Sequence, residues 1–329
     1  MRVLYLTGDL TGEALRLAGP DEQGGYVGAV SDFDGLYGVR RRLAERAREI
    51  ADAQRAQAVA VIPWPQTTRS VSAAAGDAPL RFTTLAERLA LLERLALFDV
   101  VVVAPVSSGI AGASREAQAT DATDLPGALW RRLQALDVAA LLGAADDPLA
   151  SALARSAGLG AGAAVELLAP QDEREATPAA HLQRLIAAGE IAEVTRRLSH
   201  PYILTGEVIA GDARGRQLGF PTANMRPDPQ KPLPAHGIYA VRVALPGEPQ
   251  PIHPAVTSVG VRPTFGEALQ PLIETYLFDT AMDLYGLTLR IAFVAELREE
   301  RRFTSVEALI EQMALDTQQA RALLGRDDG

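Results

Sequence analysis

The sequence has no cysteine, which excludes disulfides, thiolate metal sites and cysteine nucleophiles together. It has one lysine, Lys231, so arginine carries almost all of the positive charge. Histidine is nearly as scarce. His181, His200, His236 and His253 are the whole complement, and the first 180 residues hold none. No apolar run reaches the length of a membrane span. The start "MRVLYLTGDLTGEALRL" has no long apolar core behind a basic segment, so no signal peptide is expected and the cytoplasm is the default location. Basic residues are in the minority, and a net charge of -9 argues against a dedicated nucleic-acid binder.

What is present fits a globular chain of 329 residues, enough for about two domains, with 48% hydrophobic and 22% charged residues. The first half alternates apolar runs with charged, helix-period segments. "MRVLYL", "YVGAV", "AVAVIPW", "FDVVVVAP", "VAALLGA" and "AAVELLAP" read as strands. "GVRRRLAERAREIADAQRAQ", "TTLAERLALLERLA", "PGALWRRLQAL" and "PLASALARSAG" read as helices. Thr83 or Thr84 is the expected N-cap of the second helix. Such alternation predicts a doubly wound α/β domain. A polar link from Ala169 to Pro178 follows, then one helix, "AAHLQRLIAAGEIAEVTRRLSH".

After Pro201 the pattern changes. "YILTGEVIAG", "GIYAVRVAL", "HPAVTSVG", "LIETYLFD" and "LTLRIAFVAEL" read as strands between Gly and Pro turns, which predicts a small barrel or sandwich. Alternation puts Tyr239, Val241, Val243 and Leu245 on one face, and Leu289, Ile291, Phe293, Ala295 and Leu297 on another. The closing helix, "SVEALIEQMALDTQQARALL", is expected to start at Thr304 or Ser305.

Two stretches carry chemistry. "GDARGRQLGFPTANM" supplies Gly211, Gly215 and Gly219, with arginines at 214 and 216. Bare backbone there can approach an anion. Thr222 and Asn224 add hard oxygen donors suited to Mg²⁺. The stretch is not a P-loop, because the required lysine is missing. A hairpin loop rich in turn formers explains the glycines equally simply. In "PLIETYLFD", alternation sets Glu274 on one face with Leu272, Tyr276 and Phe278. A carboxylate in that company is either paired or exposed, or it is a general base tuned by its surroundings.

As an ordered set, "GDARGRQLGFPTANM", "GIYAVRVAL", "SVGVRPTFG", "IETYLFD", "DLYGLTLRIAFVAELREERRF" and the closing helix resemble riboflavin kinases. The resemblance covers roughly residues 183–322. It implies a six-stranded antiparallel barrel that phosphorylates riboflavin with ATP and Mg²⁺. It implies nucleotide contacts at Gly215, Gly219, Pro221, Thr222 and Asn224, with the metal on Thr222 and Asn224. Glu274 falls on the family's base, and Arg298 and Phe303 fall in a stretch that closes over the flavin. Ser258 stands where the family often has Asn.

The first half resembles the FMN adenylyltransferase domain often fused ahead of that kinase, a Rossmann-like nucleotidyltransferase fold. The segments "VGAVSDFDGLYGVRRRLAERA" and "VIPWP" carry this likeness. The working residues do not carry over. The two histidines of its His-x-Gly-His motif fall on Tyr37 and Arg40, and its later hydroxyl- and arginine-bearing signature falls on "PAAHLQ", Pro178 to Gln183. The expectation is a degenerate adenylyltransferase-like domain at 1–180, a linking helix at 181–200 and a kinase barrel at 201–329. The partners implied are riboflavin or FMN and ATP or ADP, without nucleic acid or membrane.

Overall fold

The structure is a computed structural model. It describes residues 1–5, 25–64, 81–105, 129, 133, 138–157, 164–173, 175–211, 215, 218–248, 250–262, 270–280 and 282–325. The arginines at 214 and 216, the run 263–266 and most of the "PGALWRRLQAL" helix lie outside the described residues. The chain divides into two units. One holds residues 1–79 and 88–176, and the other holds 80–87 and 177–329.

The first unit is built on a six-stranded sheet of parallel strands: β1 (Arg2–Tyr5), β2 (Tyr26–Val30), β3 (Gln57–Trp64), β4 (Val100–Pro105), β5 (Val138–Ala144) and β6 (Ala164–Leu168). Their order is β1-β4-β3-β2-β5-β6, as expected for the α/β pattern. Every residue of β2 is buried, which is why this strand reads as a continuous apolar run. Helix α1 (Val39–Gln54) presents Val39, Leu43, Ala44, Ala47 and Ala51 as its buried stripe. Helix α2 (Leu85–Arg94), whose first residues through Glu87 group with the second unit, opens with a reciprocal cap. Thr84 Oγ1 accepts from the Glu87 N–H at 3.2 Å, and Glu87 Oε2 accepts from the Thr84 N–H at 2.8 Å. Helix α3 (Pro148–Ala157) follows β5.

In the second unit the expected single helix is two, α4 (Ala179–Ala187) and α5 (Ile191–Leu198). Gly189 breaks it, with a φ of 77° that a helix interior does not take. The barrel then closes from six antiparallel strands: β7 (Tyr202–Ile209), β8 (Ala223–Pro227), β9 (Gly237–Ala244), β10 (His253–Arg262), β11 (Gln270–Leu277) and β12 (Thr288–Glu299). Their order is β10-β11-β8-β7-β12-β9. Alternation in the sequence marks five of these as strands, and the sixth, β8, starts inside the glycine-rich stretch.

Tyr239, Val241, Val243, Leu289, Ile291 and Phe293 fill the interior, all fully buried. Alternation on β12 does not continue to Leu297. Bulges between Phe293 and Ala295 and between Glu296 and Arg298 shift the register, and Val294 and Leu297 turn out toward helix α6 (Val306–Leu324). Ser305 is the cap of α6, accepting from the Ala308 N–H at 3.2 Å.

Candidate active site

The chain reaches the site through "GRQLGFPTAN", and its two central glycines serve different needs. A Cβ on Gly215 would lie 2.3 Å from the Phe220 carbonyl oxygen and 3.1 Å from Thr222 Oγ1, so no side chain fits. That tight turn is held by the Leu218 and Phe220 N–H groups donating to the Gly215 carbonyl at 3.1 and 2.8 Å. Gly219 has open space around it and instead takes a φ of 87°. Pro221 is exposed and Thr222 half-buried. Ala223 then begins β8.

Register fixes the centre of the site. On β11, Glu274 stands opposite Ser258 of β10 on one side and Asn224 of β8 on the other. Paired residues of an antiparallel sheet share a face, so the three side chains form a row on the outside of the barrel. Ile273, Thr275 and Leu277 point into the core. Glu274 is therefore not buried in the interior. It sits in the wall of a cavity of about 470 Å³ bounded by the barrel face and α6. Gly215, Thr222, Arg298 and Phe303 line the same cavity, with Ser258, Leu272, Tyr276, Leu309, Met313 and Asp316. Phe220 and Tyr276 meet edge-on at 5.4 Å in this wall, and Phe278 continues the row 5.7 Å from Tyr276.

Asn224 lies beneath the lining, 5% exposed. Its Oδ1 is buried and accepts no hydrogen bond among the described residues. The side chain is pressed against Gly211, where a Cβ would come within 2.0 Å of Asn224 Nδ2. A buried acceptor without a donor costs on the order of 1–3 kcal/mol, and a bound cation would remove that cost. Thr222 Oγ1 and Asn224 Oδ1 are the neutral oxygen donors Mg²⁺ accepts when phosphates and water complete its shell. The described residues hold no group of three or more His, Cys, Asp or Glu side chains able to cage a metal, so such an ion would depend on its substrate for further ligands.

Arg298 is engaged three ways, the first being its Nη1 donating to the Glu299 carbonyl at 3.0 Å. It forms a forked ion pair with Asp316 of α6, at 2.9 Å from Nε and 2.7 Å from Nη2. Its guanidinium also lies 5.8 Å from the centre of the Phe303 ring, on which Arg301 stacks at 5.2 Å. Gln312 donates to Asp316 at 2.7 Å. Asp316 and Gln312 were not singled out from the sequence. Their four-residue spacing on a helix is the one available sign, and it does not distinguish them from any solvated pair. A second, smaller cavity of about 70 Å³ shares Thr222 and adds Val208, Pro221, Leu277, Met282 and Tyr285.

In the first unit, Tyr37 and Arg40 stand just past the carboxyl end of β2. The neighbours of β2 are β3 and β5, so the strand order reverses there, which is where open α/β sheets bind ligands. Arg40 Nε donates to Asp32 Oδ1 at 2.7 Å, and its guanidinium lies 5.5 Å from the Tyr37 ring. Arg88, fully buried, bridges to Asp34 at 3.1 Å. Burial alone would raise the Asp32 carboxyl, but the Arg40 and Arg88 charges hold it below the usual range. Burial pushes the Tyr37 hydroxyl up to about 12. Asp147, at the head of α3, is pushed up to about 6 by burial and by the Asp32 charge.

Residues 198–324 match the Flavokinase family, riboflavin kinase. The bifunctional riboflavin kinase/FMN adenylyltransferase of Bacillus subtilis (strain 168) is 35% identical over 158 residues, covering 47% of this chain and 48% of the relative. Its Escherichia coli (strain K12) counterpart is 39% identical over 144 residues, 44% and 45% of the two chains. The RNA-binding riboflavin kinase RibR of Bacillus subtilis (strain 168) is 38% identical over 114 residues, 35% and 47%. The chain thus spans about half the length of the curated relatives it matches. A crystal structure titled as a macrolide-efflux protein from Streptococcus pneumoniae shares the fold, with a TM-score of 0.73 and 21% identity over 98% of this chain and 99% of that one.

Proposed function

We propose that this chain, whose residues 198–324 carry a riboflavin kinase domain, transfers the γ-phosphate of ATP to the 5′-hydroxyl of riboflavin. The observation that carries the reading is the row Ser258–Glu274–Asn224. It sets one carboxylate, in a cavity wall that joins Leu272, Tyr276, Phe303, Leu309 and Met313 to the charged Arg298, Glu300 and Asp316, beside an unsatisfied buried amide oxygen that lies beneath that wall. The flat flavin ring suits Tyr276, Leu309, Met313 and Phe303. The nucleotide phosphates suit the bare backbone at Gly215 and Gly219 and the Thr222 hydroxyl, which also borders the smaller cavity.

Glu274 accepts the proton of the 5′-hydroxyl as that oxygen bonds to the γ-phosphorus. The bond from the γ-phosphorus to the bridging oxygen breaks, and ADP departs with the electron pair. Phosphoryl transfer asks the protein chiefly for alignment and charge neutralisation, and a wall of β-strands supplies the first. Mg²⁺, held by Thr222 and Asn224, would supply much of the second by neutralising phosphate charge. Arg298 acts through α6, fixing Phe303 and the helix that closes the cavity.

The first unit carries no adenylyl transfer in this reading. Residues 1–180 have no histidine, and Arg40 is spent on Asp32. The acidic balance supports small-molecule substrates over nucleic acid. No described helix is long and apolar enough to cross a membrane. The test is to incubate the protein with riboflavin, ATP and Mg²⁺ and to separate the flavins. FMN without FAD is expected. FMN followed by FAD would mean that the first unit is active, and neither product would leave a flavin-binding protein without catalysis.

A further inference from the structure

The chain's single lysine is not at the phosphate site. Lys231 is 3% exposed and lies in the turn that follows β8. Its Nζ is 2.7 Å from Glu87 Oε2, donates to the Phe82 carbonyl and sits 4.9 Å from the centre of the Tyr202 ring. Glu87 is 4% exposed, and both side chains of the pair are almost wholly enclosed. Beside them, the Arg81 N–H donates to the Gln230 carbonyl at 2.7 Å, and the Tyr202 hydroxyl donates to the Pro232 carbonyl at 2.6 Å. Residues 80–87 accordingly group with the barrel, nearly ninety positions ahead of the rest of that unit.

We propose that Glu87 and Lys231 are positioning residues for the nucleotide end of the site. The anchored turn is short and stiff. Lys231 N–H donates to the Asp228 carbonyl at 3.0 Å and Gln230 N–H to Asp228 Oδ1 at 2.8 Å. Asp228 directly follows Pro227, the last residue of β8, and β8 carries Asn224 with Thr222 just ahead of it. Fixing the far end of a five-residue strand fixes its near end. A buried ion pair is a poor source of net stability, but it is specific, because removing one partner strands the other charge. A kinase domain delimited by its family match alone, at 198–324, lacks the carboxylate that Lys231 needs.

This inference rests on the kinase reading for its kinetic part only, and two measurements on the full chain keep the parts separate. The first is amine acylation under native conditions followed by peptide mapping, with an added lysine-containing peptide as the exposed-amine standard, since the Met1 side chain is itself 3% exposed and its α-amine lies 3.8 Å from Glu93. Lys231 is expected to resist the reagent in the native protein, and to react in Glu87→Gln or in denaturant. Acylation of native Lys231 as fast as the added peptide overturns the anchor. The second is kinetics. Glu87→Gln is expected to raise KM for ATP by on the order of tenfold, within the range that small misplacements cost, with riboflavin binding unchanged. The Glu87→Leu/Lys231→Met double variant, which leaves no buried charge, is expected to restore KM. Loss of ATP and riboflavin terms together, unrelieved in the double variant, means a merely structural pair and overturns the positioning role. A wild-type protein that forms no FMN counts against the kinase reading, and acylation then decides the anchor by itself.

Discussion

Glu274 of β11 stands directly opposite Asn224 of β8, so the carboxylate and the unsatisfied amide oxygen are neighbours across one pair of strands. The proposed base and the proposed metal donor therefore cannot move independently. Replacing Glu274 by Gln keeps the size and polarity of the side chain and removes its basicity. FMN formation is expected to fall at least ~10²-fold while ATP binding, followed by calorimetry, persists. Unchanged turnover would take Glu274 out of the reaction.

Gly211 tests Asn224 from the other side. An alanine there would put its Cβ within 2.0 Å of the amide nitrogen, and the amide must swing away. Gly211→Ala is expected to weaken Mg-ATP binding by on the order of tenfold and to raise the Mg²⁺ concentration needed for half-maximal rate. A shift in neither quantity would separate Asn224 from the metal.

The Arg298–Asp316 pair joins β12 to α6 with its two side chains 17% and 5% exposed. Asp316→Ala leaves the guanidinium without its carboxylate, at a cost of about 3–5 kcal/mol when a buried pair loses one partner. The thermal midpoint of the barrel unit is expected to fall, with Asp316→Asn in between, as scanning calorimetry would register. An unchanged midpoint would show that α6 is held by its apolar contacts alone.

Asp147 gives the first unit a pH signature of its own. Its carboxyl rises from the ordinary 3.8 to about 6 on folding. An acid with a raised folded value binds its proton more tightly in the folded state. It therefore favours folding at low pH and loses that contribution as pH climbs from 3.8 toward 6. Above that window the ionised, buried group is a burden of at most about 3 kcal/mol. Asp147→Asn keeps an oxygen for the Leu149 and Ala150 N–H groups. It is expected to be more stable than the parent near neutral pH and equal to it at about pH 4. Denaturant titrations at the two pH values compare them, and parallel curves would refute the assignment.

The readability of this chain varied with how local each cause was. The buried strands of the first unit and the stripe of α1 are written in periodicity, because burial acts on each residue where it stands. The face of Glu274 was legible for the same reason. The strand carrying Asn224 was not, since Gly219 and Pro221 announce a turn up to two residues before it starts. The break at Gly189 and the two bulges of β12 were hidden too. A glycine within a helical pattern and an extra residue within an alternating one become visible only when neighbours claim the adjacent positions. Residues 80–87 show the limit most clearly. Nothing in "LRFTTLAE" names Lys231 as its partner, because a buried charge selects its counterpart by proximity in space.

Strand β8 has five residues, and against β11 it is matched only at Ala223, Asn224 and Met225. The β10–β11 junction, by contrast, runs unbroken from Ala255 to Arg262. The cylinder thus has a short-laced seam, and the seam runs between the proposed base and the amide oxygen. Cylinders part first where they are least stitched, so amide protons along Ala223–Met225 should exchange with solvent ahead of those on the β9–β12 side. A wall that parts along one line can breathe at the proposed place of reaction while the rest of the staves stay closed.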